Sequence, residues 1–275
     1  MGENKLKKAY RNICLTEWVD KKLQQIELSN KERDEKLSEI NNKLDALNKN
    51  IEIIKRNSNE ILYAEIFHDT SKNSKWLHEE LSLSSGAIGY PLAYILYRIL
   101  DEVKPKSILE LGLGQSTKII TSYVKFEKKV IHDVVEHDQN WINFFKMNME
   151  LEEVQNIHCL ENYKRKYNDC ELNAYRNFKK EFKGKSYDLI LIDGPIGWGQ
   201  EYARMDILDI IPECLNKSFI ILLDDSERIG EQRMIEMLEE KLRKNKIEFR
   251  TGYQYWGVNT VYVCTSEDLE FLCHI

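Results

Sequence analysis

The tightest constraint on this chain lies near its end, where "FRTGYQYW" and "TVYVCTS" read as strands separated only by Gly257, Val258 and Asn259. A parallel crossover needs a dozen or more residues, so these two strands pair antiparallel or not at all. Upstream, "SILELG", "VIHDVVE", "IHCLE", "YDLILID" and "FIILLDD" are short, almost continuously apolar runs with helical material between them. Such runs suit strands buried on both faces, and their alternation with helices implies parallel crossovers. Together these features predict an α/β fold: a doubly wound and mostly parallel sheet, finished by an antiparallel C-terminal hairpin.

The first 62 residues follow another rule. They contain no proline, and no glycine after Gly2, and they read as helix. Leu37, Ile40, Leu44, Leu47, Ile51 and Ile54 alternate steps of three and four, the seam of a left-handed coiled coil, and Ile61 resumes it after Ser58. The seam serves either packing on the same chain or a homo-oligomer. An upstream helix containing Leu23 and Ile26 either packs back or extends the assembly. The expected organisation is therefore a helical segment, 1–62, before an α/β domain, 63–275.

Charge narrows the partners. With 46 acidic against 40 basic residues the formal net charge is −6, which disfavours nucleic acid held by whole-molecule attraction. "MGENKLKKAY" leads into no apolar core of a signal peptide, and no run approaches the roughly 20 apolar residues that span a bilayer, so a cytoplasmic location is expected. The six cysteines form no C-x-x-C pair, which predicts reduced, mostly buried thiols.

The chemistry begins at "SILELGLGQSTKII". Gly112 and Gly114 start the G-x-G-x-x-G pattern, but Thr117 stands where the third glycine belongs. The glycines let backbone approach a ligand, while Gln115, Ser116 and Thr117 open a helix whose free N–H groups suit a carboxylate or, equally, a pyrophosphate. Glu136, at the end of the next strand and 22 positions beyond Gly114, is placed to accept both hydroxyls of a ribose. At the carboxyl ends of the fourth and fifth strands stand Asp193 and the pair Asp224–Asp225. Three carboxylates so placed repel unless protonated, hydrogen-bonded or gathered around a divalent cation such as magnesium. Capping of the helix that follows Ser226 is the alternative for Asp224 and Asp225.

The run Glu110-Leu111-Gly112-Leu113-Gly114, with the closing hairpin, resembles the class I S-adenosyl-L-methionine (SAM)-dependent methyltransferases, whose first motif is E/D-x-G-x-G. The resemblance implies that the loop meets the methionine part of SAM and that Glu110 helps hold its amino group. It makes Ser85, in the segment before a helix that closes over the methionine end, a cofactor candidate. It likewise implies contact of His137 with adenosine, and of Glu161 or Asn162 with the adenine amino group. The acids resemble the ion site of metal-dependent catechol-type O-methyltransferases, an aspartate after the fourth strand and Asp-Asn after the fifth; Asp225 departs from that pattern. "DGPIG", then "RM", then "DDSERIGE" is similar to the glucuronoxylan-type sugar O-methyltransferases, over roughly residues 105–235. That likeness implies methyl transfer to a sugar or glycan hydroxyl, with Asp193, Asp224 and Arg228 at the catalytic end.

Asp193 then serves as general base or as metal ligand. Trp198, Tyr202 and Trp256 stack on sugar faces or pack in the core. Arg204 and Arg228 orient an anionic acceptor or pair with nearby acids. The tract "NYKRKYNDCELNAYRNFKKEFKGK", eight basic residues against three acidic, reads as a solvated helix face or a patch for an acidic sugar or phosphate. Two other classes remain open: a nicotinamide-dependent oxidoreductase, and an assembly protein whose α/β domain is inactive.

Overall fold

A computed structural model describes residues 3–77, 81–83, 87–148, 156–255 and 259–274, with side chains from residue 15 onward. Ser85 and Trp256 lie outside the described residues. The chain divides into two compact units, Met1–Lys55 and Arg56–Ile275.

One unbroken helix, α1 (Glu3–Ser71), replaces the separate upstream helix considered from the sequence. With no glycine or proline inside it, nothing in the sequence stops propagation there. Every described residue from 15 to 58 is exposed. In the second unit the last turns of α1 change character. Phe67 is buried, and Glu60 Oε1 accepts the Tyr90 N–H (2.6 Å) at the start of α2 (Tyr90–Arg98).

The remaining elements run β1 (Ser107–Leu111), α3 (Gln115–Phe126), β2 (Ile131–Glu136), α4 (Gln139–Asn148), β3 (Asn156–Cys159), β4 (Asn162–Tyr167), β5 (Cys170–Tyr175), α5 (Phe178–Glu181), β6 (Tyr187–Ile192), β7 (Leu215–Leu223), α6 (Ile229–Lys244), β8 (Arg250–Gln254) and β9 (Val261–Thr265). Seven strands form one sheet in the order β3-β2-β1-β6-β7-β9-β8. All neighbours through β7 are parallel, and β9 enters reversed between β7 and β8, so the short C-terminal link makes the antiparallel hairpin it had to make.

Strand alternation divides the core. Ile108, Leu189, Leu191, Ile220 and Leu222 face one side, with Leu92, Leu96, Ile119 and Ile120 from α2 and α3. Leu109, Leu111, Ile190, Ile192, Ile221 and Leu223 face the other, with Ile235 and Leu238 of α6. Burial on both faces is why these strands lack polar alternation.

The basic tract differs from its expected helix. Asn162–Tyr167 and Cys170–Tyr175 form a separate antiparallel hairpin, turned at Asn168 and Asp169, both of positive φ (46° and 63°). Two such residues make the tight turn that matches strand twist. Alternation decides the strands: Leu172 and Ala174 are buried, whereas Lys164 and Lys166 point to solvent. Charge composition hid a period-two pattern.

Asp206 Oδ1 accepts the Tyr175 N–H (3.1 Å), joining the hairpin to the 3-10 turn Met205–Asp209. Burial pushes its carboxyl up to about 7. The unfolded chain ionises near pH 4, so the folded state gains stability by holding this proton; the gain is whole below pH 4 and lost as pH rises through about 7. Asp206→Asn keeps the acceptor and cannot ionise. The expected outcome is a variant about 1–3 kcal/mol more stable relative to wild type at pH 8 than at pH 4, read from urea midpoints.

Candidate functional site

The carboxyl ends of β1, β2, β6 and β7 converge, and of the residues singled out from the sequence Glu110, Gly112, Gly114, Glu136, Asp193, Asp224 and Asp225 stand there. In open α/β sheets this edge is where ligands bind. After β1 the chain turns at Gly112, whose φ of +104° a side chain rarely adopts. A Cβ there would stand 3.3 Å from the Asp193 carbonyl, and one on Gly194 would meet Tyr175 Oη at 2.5 Å and Gly112 N at 3.1 Å. The loops after β1 and β6 thus touch backbone to backbone. Gly194→Ala is expected to cost about 1–3 kcal/mol in chemical denaturation, because Tyr175 is buried and cannot swing aside.

Among the described residues, nothing lies within 4 Å of where a Gly114 Cβ would stand, so the loop borders space that they leave open as α3 begins. Thr117 Oγ1 accepts the Gly114 N–H (2.9 Å), and the Gln115 side chain accepts the Ser82 N–H (3.1 Å). Glu110 is fully buried: Oε1 accepts from Ser116 Oγ (2.5 Å), and Oε2 lies 2.9 Å from His132 Nε2. His132, unassigned from sequence, is thereby a partner of the motif acid; its only signal was a polar residue inside an apolar strand.

Glu136 sits at the end of β2, 6% exposed. Its Oε1 accepts the N–H groups of His137 (2.6 Å) and Asp138 (2.9 Å), and its Oε2 the Leu113 N–H (3.3 Å). His137 Nδ1 also reaches Oε1 (2.8 Å). The carboxylate therefore fixes the loop around itself. Glu161 is exposed and held by a two-pronged pair with Arg176 (2.7 and 3.3 Å).

The acids form the densest electrostatics. One carboxylate oxygen from each of Asp193, Asp224 and Asp225 lies within 4.8 Å of the other two. Arg204 enters the same cluster, 3% exposed: Nη2 donates to Asp193 Oδ1 (3.1 Å) and Asp225 Oδ2 (2.7 Å), and Nη1 to the Asp224 carbonyl (2.7 Å). Its Nε faces Glu231 Oε1 at 3.5 Å, an ion pair too long for a hydrogen bond. Arg228 Nη1 adds a second cation, 2.6 Å from Asp225 Oδ2. Arg204 thus pairs with the acids of its own chain, the alternative to orienting an acceptor, since burial removes it from incoming ligands.

Asp193 is the member of the trio with an open face, its side chain 27% exposed. Desolvation by its neighbours pushes its carboxyl up to about 6, against the pull of Arg204 and with a further push from Asp225 and Glu110. Burial raises Asp224 well above the carboxylate range, helped by Asp193 and Asp225. An acid poised near 6 beside solvent is suited to take a proton near neutral pH.

The aromatic candidates separate. Trp198 is 76% exposed, with the Arg228 guanidinium 5.1 Å above its ring, so it borders the acidic cluster. Tyr202 is enclosed by Tyr167, edge-on at 4.9 Å, and by Arg233 over its ring at 4.9 Å, which takes up its faces. The hairpin β4–β5 holds this loop. Asn173 Nδ2 donates to the Ile196 carbonyl (2.7 Å), the Asn173 N–H to Gln200 Oε1 (2.5 Å), and Asn168 Nδ2 to Tyr202 Oη (3.3 Å). Asn173, Gln200 and Glu231 escaped sequence reasoning because each acts through a distant partner.

No protein-family model and no curated protein sequence matches the chain. Among solved structures, the Bacillus cereus O-methyltransferase in complex with S-adenosylhomocysteine (SAH) is similar at 11% identity and a TM-score of 0.49, over 76% of this chain and 91% of that one. The SAH-bound methyltransferase of Podospora anserina is 13% identical, TM-score 0.45, over 76% and 88%. The Streptomyces achromogenes O-methyltransferase of tomaymycin synthesis, in complex with SAM, is 10% identical, TM-score 0.44, over 76% and 89%. The strand order with β9 reversed decides the fold. The fold is that of a Rossmann-like methyltransferase. Within that fold, Gly112, Glu136 and Asp193 occupy the ends of β1, β2 and β6. No helix among the described residues is long and apolar enough to cross a membrane.

Proposed function

We propose that this chain is a SAM-dependent O-methyltransferase, acting on a hydroxyl of a sugar or glycan intermediate. The observation that carries the reading is the meeting of the Gly112–Gly114 loop, Glu136 and Asp193 at one edge of a sheet in methyltransferase order. The residues suit the cofactor. Open space at Gly114 leaves room beside the first-turn N–H groups of α3 for the methionine carboxylate, and Glu136 stands where a ribose would lie. Gln115, Ser116 and Thr117 shape that turn, while Glu110, fully buried and clasped by His132 and Ser116, braces the loop from behind. His137 and Glu161 would flank the adenosine end, and Ser85, outside the described residues, is carried as a cofactor candidate by the sequence resemblance alone.

SAM brings an already electrophilic methyl, so the protein's work is to align the acceptor oxygen and remove its proton. Asp193, open to solvent and poised near 6, accepts that proton. Arg228 and Trp198 form the exposed rim where a sugar ring would stack, with Trp256 as a further candidate. The Asp-Gly-Pro-x-Gly and Arg-Met sequence order supports a glycan acceptor over a catechol.

A cation-assisted version rests on one observation. Asp225 Oδ1 is buried without a hydrogen-bond partner among the described residues. With Asp193 and Asp224 it makes a set of hard oxygen donors that suits magnesium. The ion would lower the pKa of the acceptor hydroxyl.

Calorimetry with SAM, SAH and NAD tests the reading. Binding of SAM and SAH but not NAD is the expected result; NAD alone would indicate an oxidoreductase, and no binding would favour an assembly protein. EDTA and Asp225→Ala address the ion, and unchanged turnover in both would remove it.

A further inference from the structure

The acidic site leaves the first unit of the chain unexplained. Along α1 the seam is longer than the six residues that first reveal it. Counting Leu37 as heptad position a, the a positions are Thr16, Leu23, Asn30, Leu37, Leu44, Ile51 and Ser58, and the d positions are Val19, Ile26, Arg33, Ile40, Leu47, Ile54 and Ile61. The helix carries this register through without a break. Leu23, Ile26, Leu37, Ile40, Leu44, Leu47 and Ile51 are each 50–55% exposed, so no described residue of their own unit covers them. A helix this long draws most of its stability from packing an apolar face, and a partner helix would supply one.

We propose that α1 forms a parallel, in-register, two-stranded coiled coil with a second copy of this chain. Charge selects the direction. Flanking positions g carry Lys22, Lys36 and Lys43, and positions e carry Asp20, Glu27 and Asp34. In a parallel pair each g residue faces the e residue five positions on in the partner. Lys22 then meets an acid at position 27, Lys36 and Lys43 meet Asn41 and Asn48, and no like charges face each other between positions g and e. A fully overlapping antiparallel pair sets Lys36 against Lys43.

The polar layer agrees. Asn30 at an a position meets its own copy only when the chains are parallel and in register, where the two amides satisfy each other; antiparallel overlap buries it against Leu47. Leucine at a with isoleucine at d, as at Leu37 and Ile40, leans toward more strands, but Asn30 and Arg33 need solvent at the seam's edge. Two strands leave that edge open, and the stem of Arg33 is long enough to carry its head to water.

The proposal stands apart from the methyl-transfer reading and is tested on the full chain. Light scattering should give twice the 32.6 kDa chain mass, and Ile40→Lys with Leu47→Lys should return the chain mass without altering SAM calorimetry. Orientation is read by Ile26→Cys and Leu47→Cys, made separately and oxidised with glutathione disulfide, which is reduced to two glutathione thiols as each interchain disulfide forms. A parallel pair gives a reducible covalent dimer in both variants and none in wild type. Antiparallel chains bring a residue to its own copy only at the centre, so they cross-link at most one of the two. A monomeric wild type, a tetramer, a dimer that survives the double lysine variant, or cross-linking at one position would each overturn the proposal.

Discussion

Asp193→Asn is expected to reduce methyl transfer by about 10²–10⁴-fold while SAM still binds. The substitution keeps an oxygen for Arg204 and removes the proton acceptor. Wild-type turnover should fall as pH drops through about 6, because desolvation holds the Asp193 carboxyl there and its protonated form accepts nothing. The variant's residual rate should lose that dependence. Turnover against pH for both proteins, with SAM affinity measured in parallel, is the check. A variant that turns over at the wild-type rate removes Asp193 from the chemistry and leaves the cofactor reading intact.

Arg204→Met is expected to destabilise the second unit by about 3–5 kcal/mol, the cost of breaking a buried ion pair from one side. The guanidinium is 3% exposed and touches Asp193, Asp225 and the Asp224 carbonyl, with Glu231 facing Nε. Both Glu231 oxygens are buried without a hydrogen bond among the described residues, and burial raises its pKa. Without Arg204 these acids repel one another or bind protons, so the loss should be larger at pH 8 than at pH 5. Urea denaturation at the two pH values measures it. A loss under about 1 kcal/mol would mean that the acids already hold protons in the folded protein.

Legibility varied with the range of the interaction. The strands of the main sheet were readable because burial on both faces writes an apolar run, and the three-residue link before Val261 settled the hairpin by length alone. The Gly112–Gly114 loop and Asp193 followed from strand ends. The hairpin at Asn168 and Asp169 was not readable from charge, since lysines on its solvent face resemble those of an exposed helix; its period-two alternation at Leu172 and Ala174 held the signal. Arg204 is the sharper case. Nothing near residue 204 says that the guanidinium turns inward, because its partners are carried by β6, β7 and α6, and only their convergence places three acids around it. Tyr202 failed as an open stacking platform for the same reason, enclosed by Tyr167 and Arg233 from two other elements.

The β4–β5 hairpin enters and leaves the domain across one closing contact, the Arg176 N–H to the Glu161 carbonyl (2.8 Å), with their side chains paired outside it. In engineering terms it is a cassette. A library confined to the solvent-facing residues between 164 and 171, sparing buried Leu172 and Ala174, would vary the wall that grips the Ile196–Tyr202 loop while leaving the core and every strand of the parallel sheet intact.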